Sequence, residues 1–484
     1  MTPHSTAPAR AGGDARARLR SEVHRRWVDE ILPTLMRYTT VPCLSPEFDD
    51  RWETNGTLAE AASMLAAWTQ GRAIQGLTVQ VMAPRGRTPL LLLDAPATGG
   101  ATGTVLVYGH LDKQPPLGEW REGLGPFTPV LEGDRLYGRG TGDDGYSLFA
   151  AVGAIELLDA SGAPRPRVVV LVESSEESGS PDLPAYLDDL ADRLGRPDLV
   201  VCLDSGCLTY DRLWLTSSLR GNLVATVSVQ VLTEGVHSGS AGGIVPTSFR
   251  LLRVLLDRLE DPGTGEIRLA ALHAPEPPGA GTAGGWAAAE AFPVVQGLQL
   301  DGTSDEVRLA RRAWAPSLTV TGMDGIPAVR DGGNVLRPFT TAKISLRLPP
   351  TVHAAEAVKV VESALLTDPP SGARVEVRFD TPATGWAAPP LEKWVADAFT
   401  DASEELFGQP PGTLGEGGTI PFLAMLGERW PGVPLVATGV LGPGANAHGP
   451  NEFLHLPMAE AVTVATARLI EAAGRRAPGA SSRG

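Results

Sequence analysis

The sequence predicts an α/β protein: a mixed sheet with helices on both faces, its chain interrupted by an inserted ferredoxin-like α+β layer. Three observations predict it. Six short apolar runs, at 77–82, 90–93, 105–108, 168–172, 199–203 and 435–440, have the composition of strands buried on both faces. Helix-periodic stretches separate several of them, the alternation expected of a helix-covered sheet. Between the fifth and sixth runs lies a block of different texture, with four strand-like and two helix-like segments.

The elements follow in order. Residues 1 to about 15, and the tail from about 474, are rich in Ala, Gly, Pro, Ser and Arg without periodicity and read as frayed ends. Val23, Trp27, Ile31 and Leu35 recur every four residues and predict a helix with one apolar face, and Leu58, Ala62, Leu65 and Trp68 predict a second. The sheet-forming runs come next, with a helix over 148–158 among them. The middle block opens on the β-branched run 224–231. A helix over 246–259, strands at 318–321 and 343–348, a helix over 354–366 and a strand at 375–379 complete it. A Gly- and Pro-rich excursion separates 260 from 315. These positions predict a catalytic domain in two segments, 1–211 and 386–484, around an inserted lid and dimerisation domain at 212–385. A chain of 484 residues exceeds what one core usually accommodates, which agrees with two domains.

Composition narrows the partners. An apolar content of 43% and a charged content of 20% are those of a globular protein with a large core. A net charge of −15 opposes nucleic acid and anionic membrane as partners. Three cysteines without paired spacing, and no apolar run long enough for a secretion signal or a membrane span, predict a cytoplasmic protein.

Chemistry-bearing residues cluster just after the predicted strands. His110 and Asp112 follow 105–108, Glu176 and Glu177 follow 168–172, Asp204 follows 199–203, and His448 lies a loop beyond 435–440. Asp143 sits in the Gly-rich turn GRGTGDDGYS. The carboxyl ends of strands are where open α/β sheets bind ligands. Taken singly, each residue has an ordinary reading as a turn, cap or surface group. Together, acids and imidazoles converging on one sheet edge require cations to offset their charge. Carboxylate and imidazole without thiolate suit two divalent ions, zinc foremost, with manganese or cobalt as other fits. Asp143 is the candidate for the shared bridging ligand, and Asp112 the candidate to hold the second nitrogen of His110.

The ordered set YGHLD, GRGTGDD, EESGS, DSG, HSG and AHGPNE resembles the zinc-dependent dipeptidases and aminoacylases. Within them it is most similar to the branch of cytosolic carnosine dipeptidase, related to succinyl-diaminopimelate desuccinylase and glutamate carboxypeptidase. The resemblance runs from about Val23 to Ile470. It implies His110, Asp143 and Asp204 on one metal and Asp143, Glu177 and His448 on the other. Glu176 becomes the general base acting on a metal-bridging water. It also implies that His237, in GVHSGSAGG, reaches the active site of a partner subunit in a homodimer. Arg347 and Asn334 would bind the substrate carboxylate and nearby oxygens, and Gly418 and Thr419, in GEGGTIP, would approach the substrate by backbone. The expected function is amide hydrolysis of dipeptides or similar short substrates with a free carboxylate. An N-acyl amino acid amidohydrolase is the near alternative, and a catalytically silent binding homologue the distant one. Three positions depart from the family pattern: Tyr146 stands for lysine, Asn334 for threonine and Lys113 for valine. None is a predicted metal ligand.

Overall fold

The structure, a computed structural model, describes residues 7–278, 280, 286–418 and 420–476. All six apolar runs join one sheet. Its order is Thr78–Met82, Leu90–Ala95, Arg167–Glu173, Thr104–His110, Leu199–Cys202 and Leu435–Ala437. The first two junctions are antiparallel and the other three parallel. The four parallel strands therefore share one carboxyl edge.

Side-chain alternation explains why the inner runs are almost wholly apolar; the first run departs from the expected burial on both faces, because Thr78–Met82 is an edge strand whose Thr78 and Gln80 are exposed. In Thr104–His110, Val105 and Val107 point to a core containing Trp27, Phe149 and Val462. Leu106 and Tyr108 point to the opposite core, with Tyr186 and Phe422. A strand covered on both faces has no position left for a solvated side chain.

The first helix starts at Ala7, earlier than its irregular composition predicts. It passes through a π turn at Trp27–Ile31 into the helix Leu32–Thr39. A four-residue repeat outruns the 3.6-residue turn of an α-helix, and the wider π turn absorbs the excess. Val23, Trp27, Ile31 and Leu35 consequently all stay buried on one face.

The middle block is a four-stranded antiparallel sheet in the order Ser317–Asp324, Phe339–Leu348, Gly221–Gln230, Arg374–Phe379. With helices Ser248–Leu259 and Ala354–Leu366 it is a β-α-β-β-α-β layer. Burial alternates strictly along Gly221–Gln230. Its inward residues Leu223, Ala225, Val227 and Val229 meet Leu251, Leu255 and Val361 from the two helices. Immediately before this layer, Trp214–Leu219 pairs with Gly412–Glu416 and Trp386–Ala387 from the last part of the chain. The excursion before residue 315 contains the helix Asp305–Trp314, capped where Ser304 Oγ accepts the Val307 N–H at 3.4 Å. Its Leu309, with Trp286 and Ala288, packs back into the core beneath the large sheet. Among the described residues no helix is long and apolar enough to cross a membrane.

Candidate metal centre

His110 is the last residue of the central strand Thr104–His110, and its neighbour Gly109 is tightly enclosed. A Cβ at Gly109 would overlap the Ser147 hydroxyl and the Asp144 carboxylate, so only glycine lets the strand end this close to the 143–147 turn. The N–H of His110 donates to Asp144 Oδ2 at 3.1 Å. Glu176 and Glu177 open a single 3-10 turn three residues past Arg167–Glu173. Asp204 follows Leu199–Cys202 by two residues. The sheet therefore delivers three of the five candidate-ligand motifs to one edge, and the 143–147 turn lies against that edge.

The side chains meet there. His110 Nε2 lies 3.2 Å from Asp143 Oδ1, 3.8 Å from Asp204 Oδ2 and 4.0 Å from Glu176 Oε2. On the other side of Asp143, His448 Nε2 lies 3.1 Å from Oδ2 and 3.2 Å from Glu177 Oε2. Potential donor atoms of His110, Glu176 and Asp204 fall within 4.8 Å of one another, as do those of His110, Asp143 and Glu177. The first histidine is fully buried, whereas the side chain of His448 is 53% exposed.

Asp112 does more than the sequence suggests. His110 Nδ1 faces its backbone carbonyl at 3.1 Å and its carboxylate at 3.5 Å. The same carboxylate accepts the N–H of Glu176 at 3.1 Å and of Glu177 at 3.0 Å. One buried aspartate thus orients a histidine and the backbone of both glutamates.

Electrostatics explain what such a cluster demands. Burial, together with the nearby Asp204, pushes Glu176 well above the usual carboxylate range. Burial pushes Asp204 up to about 7, with Asp143 and Glu177 adding repulsion against the attraction of the histidines. Burial also raises Asp143, but hydrogen bonds with His110 and His448 outweigh it and hold this carboxyl well below its usual range. Both histidines are lowered by burial yet raised further by their carboxylate partners, so they end well above an ordinary imidazole. Protons are thus held where acids and imidazoles crowd together. Divalent cations among these oxygens and nitrogens would replace those protons and offset the repulsion. The donor set, oxygen and imidazole nitrogen without sulfur, fits a pair of such ions.

The residues expected to reach the substrate stand on other elements. His237 is exposed at the end of the short strand Val236–His237, its Nδ1 accepting the Gly239 N–H at 3.1 Å. Asn334 is exposed, and its carbonyl accepts the Ser238 N–H at 2.9 Å. Arg347 lies partly buried on Phe339–Leu348, opposite Asn222 and Ser317, and burial lowers its pKa. Gly418 is exposed just past Gly412–Glu416. Thr419 lies outside the described residues.

Several contacts around the cluster were not foreseeable from the sequence, including those of Lys113 and Tyr146. Gln114 Nε2 donates to Glu177 Oε2 at 2.7 Å. Lys113 is fully buried and donates to the carbonyls of Tyr38, Thr39 and Val41 at 2.9, 3.2 and 2.8 Å, closing the end of the Leu32–Thr39 helix. Tyr146, also buried, donates to the Leu203 carbonyl just before Asp204. Arg139 and Glu452 form a buried ion pair between the loops of Asp143 and His448. Arg139, Tyr146 and Glu452 lie inside quoted motifs, and Lys113 and Gln114 directly follow one, so the signal available was a long polar side chain beside the candidate ligands.

Comparison with known proteins shows the family of the chain. The model of the peptidase family M20/M25/M40 matches residues 106–472, a span containing every donor named above. The chain is 30% identical over 385 residues to a cysteinylglycine-S-conjugate dipeptidase of Corynebacterium striatum, covering 75% of this chain and 80% of that one. It is 25% identical over 391 residues to the human Beta-Ala-His dipeptidase, covering 76% and 74%. Among solved structures, the di-peptidase Dug1p of Saccharomyces cerevisiae superposes with a TM-score of 0.75 at 19% identity, covering 95% of this chain and 99% of that one. Human carnosine dipeptidase 1 does so with 0.72 at 22% identity, covering 95% and 98%. The structural likenesses speak to the fold, and the sequence matches to descent. The chain belongs to the peptidase family M20/M25/M40.

Proposed function

We propose that this protein is a two-metal dipeptidase, hydrolysing the amide bond of short substrates that carry a free carboxylate. The observation that carries the reading is the position of Asp143 between two histidines, one carboxylate oxygen toward each. That arrangement suits one carboxylate shared by two ions, with His110 and Asp204 completing one site and Glu177 and His448 the other. Zinc fits this donor set first, and manganese or cobalt also fit. Bound there, the ions would polarise the scissile carbonyl and lower the pKa of the attacking water.

The chain's own residues supply the rest. Glu176 accepts the proton of the attacking water and returns it to the leaving amine. Its position supports that role, with Oε2 at 4.0 Å from His110 Nε2 beside the proposed pair of ions. Asp112 holds the Glu176 and Glu177 backbone, so that one glutamate stays with the metal pair while its neighbour carries the proton. Arg347 grips the substrate carboxylate through its guanidinium, with Asn334 and the backbone at Gly418 on the neighbouring oxygens.

His237 acts in the site of a second copy in a homodimer. Its exposure supports this, as do the exposed Ile244, Phe249, Ile326 and Val335, of which the last three line a shallow pocket beside it. The division into 1–211, 212–385 and 386–484 belongs to the same reading, the middle segment acting as lid and dimerisation domain. The relatives named as acting on cysteinylglycine conjugates and on Beta-Ala-His support a dipeptide as substrate.

The test is a panel of dipeptides set against N-acetyl and N-succinyl amino acids, each with zinc, manganese and cobalt. Cleavage of dipeptides is expected, and activity confined to acylated amino acids refutes the reading.

A further inference from the structure

Arg139 and Glu452 stand in the two loops that carry Asp143 and His448, yet neither belongs to the donor set. Both are buried, Arg139 at 1% exposure and Glu452 at 0%. The guanidinium reaches from one loop into the other: Nη1 donates to Glu452 Oε2, and Nη2 donates to the carbonyl of Gly449 at 2.9 Å. Gly449 is the residue after His448. In return, Glu452 Oε1 accepts the N–H of Gly140 at 2.9 Å and of Asp143 at 3.4 Å. The Glu452 backbone carbonyl accepts the N–H of Gly138 at 3.0 Å. Every one of these bonds crosses between the two loops.

A buried ion pair adds little net stability, because both charges lose their water. Its presence calls for another reason, and the shape of the second loop supplies one. His448 holds a left-handed backbone at φ +64°, and Asn446 and Asn451 do the same at +53° and +60°. Residues other than glycine keep this conformation where their surroundings over-determine it. Around His448 the surroundings include the Arg139 bond to Gly449 and the acceptance of the Arg121 N–H by Asn451 Oδ1 at 2.7 Å.

We propose that the Arg139–Glu452 pair is a clasp that sets the spacing between Asp143 and His448, and so governs how tightly the ion on the His448 side is held. The proposal rests on the two-metal reading. The ion on the other side keeps His110 and Asp204, whose positions come from neighbouring strands of the large sheet. Arg139 and Glu452 are positioning residues, acting only through their effect on that spacing.

The experiment starts from full-length protein stripped by chelation and titrated with Co2+, followed by calorimetry and visible absorption. The wild type is expected to bind two ions per chain. In Glu452→Gln one ion binds as in the wild type, while the other loses about 10- to 100-fold in affinity. Turnover of that variant falls at limiting Co2+ and recovers at saturating Co2+, with KM unchanged. The double variant Arg139→Met/Glu452→Gln removes both charges and leaves no lone ion buried. It is expected to show the same selective loss, and it decides the matter if the single variant does not fold. The clasp is overturned if both ions bind these variants as in the wild type. It is equally overturned if both weaken together with a fall in Tm, the mark of a merely structural role. A wild type that binds no pair of ions refutes the two-metal reading and the clasp with it, so the wild-type titration separates that failure from failure of the clasp alone.

Discussion

Glu176 and Glu177 are adjacent, of one chemical type and within reach of the same histidine cluster, yet the proposed mechanism gives them different work. Replacing Glu176 with Gln keeps its shape and removes its capacity to take a proton. The expected result is a kcat lower by about 10²- to 10⁴-fold with both ions still bound, checked by steady-state kinetics beside metal analysis of the same sample. Asp112→Ala acts differently, because it removes the acceptor of two backbone N–H groups and a partner of His110 at once. A loss of about 10- to 100-fold in metal affinity is expected, measurable by competition with a chelator. The meeting of these acids and imidazoles was legible in the sequence, because such residues after buried apolar runs are conspicuous. Asp112 was visible as a partner of His110 through its two-residue spacing. Its grip on the Glu176 and Glu177 backbone was not, since nothing in a sequence says which amide a carboxylate will accept. Lys113 was hidden for the same reason: its three acceptors are main-chain carbonyls some seventy residues earlier.

Among the elements, strands were easier to foresee than helix detail. A strand buried on both faces must be apolar throughout, so its composition declares its environment; all six runs entered the large sheet, but Thr78–Met82 did so as a half-exposed edge. The β-α-β-β-α-β layer was equally open to reading, from the β-branched run 224–231 and the helix- and strand-like segments after it, and its burial alternates along Gly221–Gln230 as in a sheet covered on one face. The π turn at Trp27–Ile31 went unread, although the four-residue repeat on either side contained it. Keeping Trp27 inward has a measurable worth. Its ring is buried, and its Nε1–H donates to Thr463 Oγ1 at 3.1 Å, tying the first helix to the helix Leu456–Gly474. Trp27→Ala is expected to lower stability by about 3–5 kcal/mol, read from urea unfolding, with metal stoichiometry unchanged in the folded fraction.

At the scale of the whole molecule, the ions and the partner subunit are both expected to complete the protein. Removing the ions returns the crowded carboxylates to mutual repulsion. Chelated protein should therefore melt at a lower temperature and regain its Tm on adding zinc, manganese or cobalt, followed by scanning calorimetry. For the dimer, Glu176→Gln and His237→Ala should each be nearly inactive alone. Mixed and allowed to exchange subunits, they should recover activity, because one mixed site combines an intact Glu176 with the other chain's His237. No recovery despite confirmed exchange would show that His237 acts within its own chain or not at all.

One consequence of the strand order concerns the time before the protein is finished. The sixth strand of the large sheet, Leu435–Ala437, pairs with Leu199–Cys202 across more than two hundred residues of intervening chain. Throughout synthesis of that interval, Leu199–Cys202 is an open edge bearing unpaired N–H and C=O groups. His448 emerges later still. The same closing segment that covers the edge also brings the final imidazole to the metal centre, so the nascent chain has no complete site to act with until its sheet is sealed.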